Sequence, residues 1–580
     1  MPLRPLLLAV ALAAAPAPLP AAAQTADTPK PAARKEAPAP DDVQAAIKKE
    51  VEKAKAEIRD EMRAELQAQQ SAKEFLEAAG PSDKPKLDLL QLSGYYRVRG
   101  DLFDDFGLRR SPDPAGYSLF PRPPNDPARG TQTSANMRLR LEPVLNVSEQ
   151  VRVLAQVDAL DDFVLGSGQT GYATPPADSP VSLDRPSIRV KRAWGEVQTP
   201  LGLLSFGRMP SHWGLGIFAN AGSGLDDDLG DSVDRLQLAI PVRQTFLGTF
   251  FDVLVPYYDI ESSGLVSENL AGSSQPLSLS KADERWALGV KAARIDTDEE
   301  LRRKMASGAL SWNYGAYYGY HAQHYSLTPT AGTPGSPGPG LAVDTVPVGL
   351  SYQTLDLWTR WRTRKWRLEV EAAGVWGSMG DGRLQAADPA LGPVQLRQLG
   401  AVVQGDYRPA AGKVLVGLEG GFATGDRTPG LGNHPERGVP QPGSIDGSQA
   451  GGDFIRNFRF NPSYRVDLIL WRELLGNVTD AWYVKPSLRY DVLEGLSLRA
   501  ALVYSEAMYA SSTPSTVHRP LGVELDTGVH YASDDGFNAW VAWGMLRPLD
   551  GLGYAPGTRQ PGDHALVTAH AIRAGLAIKF

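Results

Sequence analysis

From Leu87 to Phe580 the chain alternates apolar and polar residues with period two, run after run. No feature constrains the fold more, because period two is the signature of a strand with two unlike faces. In LLQLSGYYRVRGDLF, residues Leu90, Leu92, Tyr96, Val98 and Leu102 share one face, and Gln91, Ser93, Arg97, Arg99 and Asp101 the other. In SANMRLRLEPVLNV, Met137, Leu139 and Leu141 oppose Asn136, Arg138, Arg140 and Glu142. In WRLEVEAAGVWG, Trp366, Leu368, Val370 and Ala372 oppose Arg367, Glu369 and Glu371. Rows of arginine and glutamate do not suit the core of a soluble sandwich. They suit the wet inner wall of a barrel whose apolar face is outside.

The connections alternate as well. Short ones (SEQ, TPLG, PVRQ, TRK, PAAG, EGLS, ASDDG) take turns with long polar ones at about 104–133, 166–186, 210–232, 260–283, 324–350 and 425–478. IDTDEELRRKMASG (295–308) is long on the short-turn side, and a helical turn is expected there. The pattern predicts an all-β transmembrane barrel of about 18 antiparallel strands with both ends on the short-turn side, since closure leaves no unpaired backbone in lipid.

Ahead of the strands the composition changes twice. MPLRPLLLAVALAAAPAPLPAAAQT reads as a signal peptide over 1–23, with Arg4, an apolar core and an A-x-A site before Gln24. Residues 24–40 form a Pro/Ala/Lys-rich linker, and 41–79 lack Gly and Pro and read as a single periplasmic helix. Its apolar positions Ile47, Val51, Ile58 and Met62 favour a short coiled coil, hence a homo-oligomer through 41–79. A solvated single helix against another periplasmic component is the alternative. Residues 80–86 are a second linker, and 87–580 the barrel.

A barrel of this size encloses more space than side chains fill, so a water-filled lumen is the physical default. The register predicts Arg97, Arg99, Arg138, Arg140, Arg152, Arg360, Arg362, Arg367, Glu369, Glu371, Glu419, Arg499, Glu524 and Asp526 as pore-lining. They read either as a ladder of salt bridges or as a cationic track for acidic solutes. Loop 224–235 crowds Asp226, Asp228 and Asp231 together, which is a candidate calcium site or an ordinary acidic surface loop. The segment RNFRFNPSYRVDLILWRE, with Arg456, Arg459 and Arg465, either folds inward as a constriction or caps the barrel. Tyr95, Tyr96, Trp312, Tyr317, Trp366, Trp376, Trp482 and Trp543 read as interfacial girdles.

Net charge is −7, which gives no nucleic-acid signal, and cysteine is absent, which excludes disulfides and thiolate metal sites. The sequence has no G-x-S-x-G, H-E-x-x-H or phosphate-loop motif, so no enzyme and no cofactor is expected. His212 reads as a loop residue rather than a base.

Three stretches carry a resemblance. AHAIRAGLAIKF, with Phe580 behind Ala574, Leu576 and Ile578, resembles the terminal strand by which outer-membrane barrels are recognised by their assembly machinery. KRAWGEVQTPLGLLSFGRMP resembles a porin hairpin through Arg192, Ala193, Trp194, Gly202, Gly207 and Arg208. GLEGGFATGD, through Glu419, Gly425 and Asp426, is similar to alginate-export-like porins and to a related family of Gram-negative outer-membrane proteins. The resemblance implies a porin-like channel in the outer membrane, passive and surrounded by lipid, with periplasmic termini. The alternative is a structural or adhesive anchor whose coiled coil binds a partner layer.

Overall fold

The computed structural model describes residues 88–110, 130–164, 188–243, 245–261, 285–329, 343–380, 393–409, 412–425, 427, 454–559 and 565–580. The signal-peptide, linker and coiled-coil expectations, and Asp426, lie outside these residues. The strands in chain order are β1 (Leu90–Asp104), β2 (Thr131–Asn146), β3 (Val151–Val164), β4 (Ile188–Thr199), β5 (Gly202–Pro210) and β6 (Ser232–Pro241). Next come β7 (Val253–Glu261), β8 (Arg285–Arg294), β9 (Ser311–Pro329), β10 (Val343–Arg362), β11 (Trp366–Met379), β12 (Val394–Tyr407) and β13 (Val414–Ala423). The two-residue β14 (Phe454–Ile455) precedes β15 (Ala481–Leu493), β16 (Leu496–Ala507), β17 (Pro520–Ala532), β18 (Phe537–Pro548) and β19 (Ala569–Lys579).

Apart from β14, which pairs in parallel with β12, each strand is antiparallel to the next, and β19 pairs with β1. The result is a closed barrel of eighteen strands, as the alternation requires. At the seam, Gly94 N–H donates to Phe580 O and Phe580 N–H to Gly94 O, at 3.0 and 3.1 Å. That is why the alternation runs to the last residue: Phe580 is a paired member of the sheet.

The faces follow the sequence register. Leu236, Leu288, Leu357, Leu418, Leu502 and Leu576 are all exposed on the outside, whereas Arg97, Arg138, Glu369 and Glu371 are buried inside. So extensive an exposed apolar surface is what contact with lipid requires. No helix among the described residues is long and apolar enough to cross a membrane. Two girdle assignments are corrected: Tyr95 and Tyr317 point inward and are buried, Tyr95 beneath the Arg140 guanidinium at 5.6 Å and Tyr317 stacked on Tyr257 at 5.6 Å. A ring that offers a π-face to a cation is as stable in a charged lumen as at an interface.

The short connections cluster at one end. The exception is α1 (Asp298–Ser307) between β8 and β9, where Thr297 and Glu300 form a reciprocal capping box and Gly308 ends the helix at φ 71°. Leu301 and Met305 bury its apolar side, so a helix replaces a tight turn because both caps and a stripe are present in the sequence.

The β4–β5 hairpin depends on glycine. Gly207 has φ 121°, and a Cβ there would sit 2.7 Å from Ala193 O and 2.9 Å from Trp194 Cα. At Gly100 a Cβ would meet nothing closer than Ser134 O at 3.9 Å. Gly207→Val should therefore destabilise the folded barrel by about 2–4 kcal/mol, while Gly100→Ala changes it by less than about 1 kcal/mol. Urea midpoints in detergent check this; equal midpoints for both variants would refute it.

Candidate functional site

Two of the long connections fold into the barrel. The first, residues 211–231, leaves β5, and positive φ angles at Gly214, Gly216 and Gly222 (57°, 86° and 63°) let it turn tightly. Leu215, Gly216 and Ile217 then present three consecutive N–H groups to Glu371 on β11. Gly216 and Ile217 donate at 2.9 and 3.1 Å, and Leu215 donates to the same carboxylate. Trp213 lies over Gly315 of β9, where a Cβ would be only 2.7 Å from the indole. His212 is enclosed, with Gly214 O at 3.2 Å from Nε2 and Ala221 N–H donating to Nδ1. Burial brings its pKa down to about 4, so it is neutral at physiological pH.

The acidic turn of this loop meets the arginines of β1, β2 and β19. Asp228 accepts from Arg99 at 2.9 and 2.8 Å and from Arg97 at 3.2 Å, with Arg138 at 3.8 Å. Asp226 is held by Arg99 at 3.1 Å, Arg472 at 2.5 Å and Arg573 at 3.7 Å. Burial works to raise the Asp226 pKa, but Arg472 and Arg573 overcome it and hold the carboxyl at about 2. Asp228 is likewise driven well below the usual carboxylate range, with Arg99, Arg97 and Arg138 overcoming burial. Asp231 accepts from Asn220 N–H at 3.0 Å and Asn461 Nδ2 at 2.6 Å.

These contacts correct the calcium candidate. Asp226 and Asp228 are turned onto guanidiniums, and Asp231 onto amides. No cluster of three or more potential metal ligands occurs among the described residues. Arginine satisfies both the charge and the geometry of a carboxylate pair that would otherwise attract a cation.

The second inward segment, residues 456–480, resolves the other open alternative: it packs into the lumen. Leu468, Ile469 and Leu470 donate N–H groups to Glu524 of β17 at 3.0, 2.7 and 2.9 Å. Tyr464 donates to Glu419 at 2.9 Å, as does Tyr483 at 2.7 Å, and Gln404 Nε2 donates to Tyr464 at 2.9 Å. A π-helical turn, Leu470–Leu474, aims Arg472 at Asp226 and Glu473 at Arg573, the latter at 2.9 Å. Phe458, Phe460, Ile469, Trp471 and Leu474 join Ile217 and wall residues Phe103, Val402 and Tyr483 in one buried apolar cluster. The lumen thus has a small core of its own.

The remaining predicted lumen residues lie on the inner face. Arg140 grips Asp158 bidentately at 2.7 and 2.8 Å, and Arg152 meets Glu196 at 2.6 Å. Arg367 bridges Glu369 and Asp406 at 2.9 and 2.7 Å. Arg360 lies over Trp358 at 5.5 Å, and Arg362 follows it on the same face of β10. Arg499 faces Arg489 across the β15–β16 pair, and Asp526 sits two residues beyond Glu524 on β17. Sequence reasoning missed Arg472, Glu473 and Tyr464, although the quoted loop contains all three. Its strictly alternating neighbours drew attention to the strands instead.

No protein-family profile matches the chain, and no curated protein is similar to it in sequence. Among solved structures it is similar to a BenF-like porin from Pseudomonas fluorescens Pf-5 (12% identity, TM-score 0.43, covering 86% of this chain and 100% of that one). It is also similar to OccK8 (OprE) of Pseudomonas aeruginosa (12%, TM-score 0.42, 85% and 98%). A third is OpdK of Pseudomonas aeruginosa with vanillate (10%, TM-score 0.40, 84% and 98%). At these values the vanillate belongs to OpdK and says nothing of what this chain binds.

Proposed function

We propose that this chain is a passive outer-membrane channel for small solutes, with its bore set by the two inward segments and its short-turn end in the periplasm. The observation that carries the reading is the pairing of an apolar exterior with a charged inner wall in one closed sheet. Such a sheet needs lipid outside and water inside. Outer-membrane lipid is then the partner of the exterior, the assembly machinery the partner of the strand ending at Phe580, and residues 41–79 the means of oligomerisation. No cofactor enters the reading.

Anionic solutes are the favoured class. Many lumen guanidiniums lie against carboxylates, and Arg465 of the second inward segment lies near Asp226, Asp227 and Asp228, but on the far wall Arg489 and Arg499 are register partners across β15 and β16. Two like charges side by side on the inner face, with Arg499 exposed to the lumen, are what a passing anion would meet.

The anchor reading is favoured by a different observation, the apolar cluster that both segments build inside the lumen. One experiment separates the two. The purified protein and a variant lacking residues 41–79 are studied in planar bilayers under a salt gradient. The channel reading expects stable unit steps in both, with only the oligomeric state changed by the deletion. A folded, heat-modifiable barrel that never conducts, in either form, would establish the anchor in its place.

A further inference from the structure

Glu371 and Glu524 sit on β11 and β17, separate parts of the wall, and are buried to 0% and 1% exposure. Neither makes an ion pair with lysine or arginine among the described residues, and each lies beside other buried acidic side chains, Asp356 next to Glu371 and Asp467 and Asp526 next to Glu524. Each instead receives three successive backbone N–H groups from an inward segment, Leu215–Ile217 on Glu371 and Leu468–Leu470 on Glu524. Three consecutive amides converging on the oxygens of one acidic side chain form a concavity that fixes the loop backbone at that point of the wall.

The two segments are also tied to each other. Asn461 N–H donates to Ile217 O at 2.7 Å, and Asn461 Nδ2 to Asp231 at 2.6 Å. Arg472 holds Asp226 at 2.5 Å. Ile217 is therefore both the third donor to Glu371 and an acceptor for the opposite segment, so the first seat is bonded directly to the segment that the second seat holds.

We propose that Glu371 and Glu524 are positioning residues that clamp the two inward segments into one gate, so that releasing either seat moves both segments. The proposal rests on the channel reading for its effect on conductance, but the coupling itself does not. Because the chain contains no cysteine, a single introduced thiol reports on one place. Ile217 is fully buried, and Ile217→Cys is labelled with a small thiol reagent in otherwise native protein, in Glu371→Ala and in Glu524→Ala. Of the two segments, Glu524 hydrogen-bonds the second, yet Glu524→Ala should raise the labelling rate at position 217 about tenfold, as Glu371→Ala does, because three backbone N–H groups have lost their acceptor.

In bilayers the two alanine variants should each open to a higher unit conductance. The double variant should exceed the larger single effect by little, as coupled sites are not additive. Glu524→Gln, which keeps one acceptor oxygen, should fall between native and alanine. Labelling at 217 unchanged by Glu524→Ala, in protein that remains heat-modifiable, would overturn the clamp. Labelling that rises in a barrel that never conducts would keep the clamp and remove the channel.

Discussion

Asp228→Asn raises the anion-to-cation permeability ratio about fourfold, measured as reversal potential in a salt gradient. The native carboxylate lies against three guanidiniums, those of Arg97, Arg99 and Arg138. Asparagine is nearly isosteric and keeps one acceptor oxygen, so the turn stays in place while one negative charge leaves. The uncovered charge acts on an ion about 5 Å away through water, which is ~0.8 kcal/mol at a dielectric constant of about 80, or a factor of about four in partition. Asp228→Glu restores the charge and should restore the native potential.

The result should be the same from pH 5 to 8. The neighbouring Asp226 carboxyl is held at about 2 against an ordinary 3.8, and Asp228 is depressed as well. Groups with lowered folded-state values stabilise the pairing above their ordinary value and lose it only as pH falls through the lowered one. Asp226 and Asp228 therefore stay ionised across that range. An unchanged reversal potential in Asp228→Asn would mean that ions do not pass this turn.

Parity alone made the wall legible. Period two places Arg97, Arg99, Glu369 and Glu371 on one face before any coordinate is known, and all four are buried on the inner side of the sheet. The same parity, applied more strictly, would have placed the two corrected aromatics. Tyr95 and Tyr96 are adjacent and must point opposite ways; Tyr95 shares its parity with Arg97. Tyr317 shares its parity with Asn313 and His321, both buried inside. Aromatic character suggested an interface where position already said lumen.

The inward segments were harder to read for a physical reason. Their partners are distant in sequence: Ile217 is 154 residues from Glu371, and Arg99 is 129 from Asp228. Backbone N–H groups leave no trace in composition, so the seats at Glu371 and Glu524 could be named as lumen residues but not as anchors. The acidic turn suggested calcium because a local reading sees only carboxylates; the arginines that take them come from β1, β2, β19 and the other segment.

That convergence makes Arg573 costly to lose. It pairs with Asp101 across the β19–β1 seam, where the two are register partners, and it reaches Glu473 of the second segment and Asp226 of the first. One buried guanidinium thus joins barrel closure to both inward segments. Methionine fills much of its volume but leaves Asp101 and Glu473 buried with less compensation, since Arg99 lies 3.2 Å from Asp101 and Arg472 3.6 Å from Glu473. Removing one member of a buried charge network is strongly destabilising, so Arg573→Met should lower unfolding stability by about 3 kcal/mol. Adding Asp101→Asn removes one of the stranded charges and should recover part of that loss, which separates a charge penalty from a packing defect. Urea titrations of the native, single and double forms, followed by loss of heat-modifiability, measure both steps. A double variant no more stable than Arg573→Met would show that the arginine acts through its packing, and that the seam closes without this ion pair.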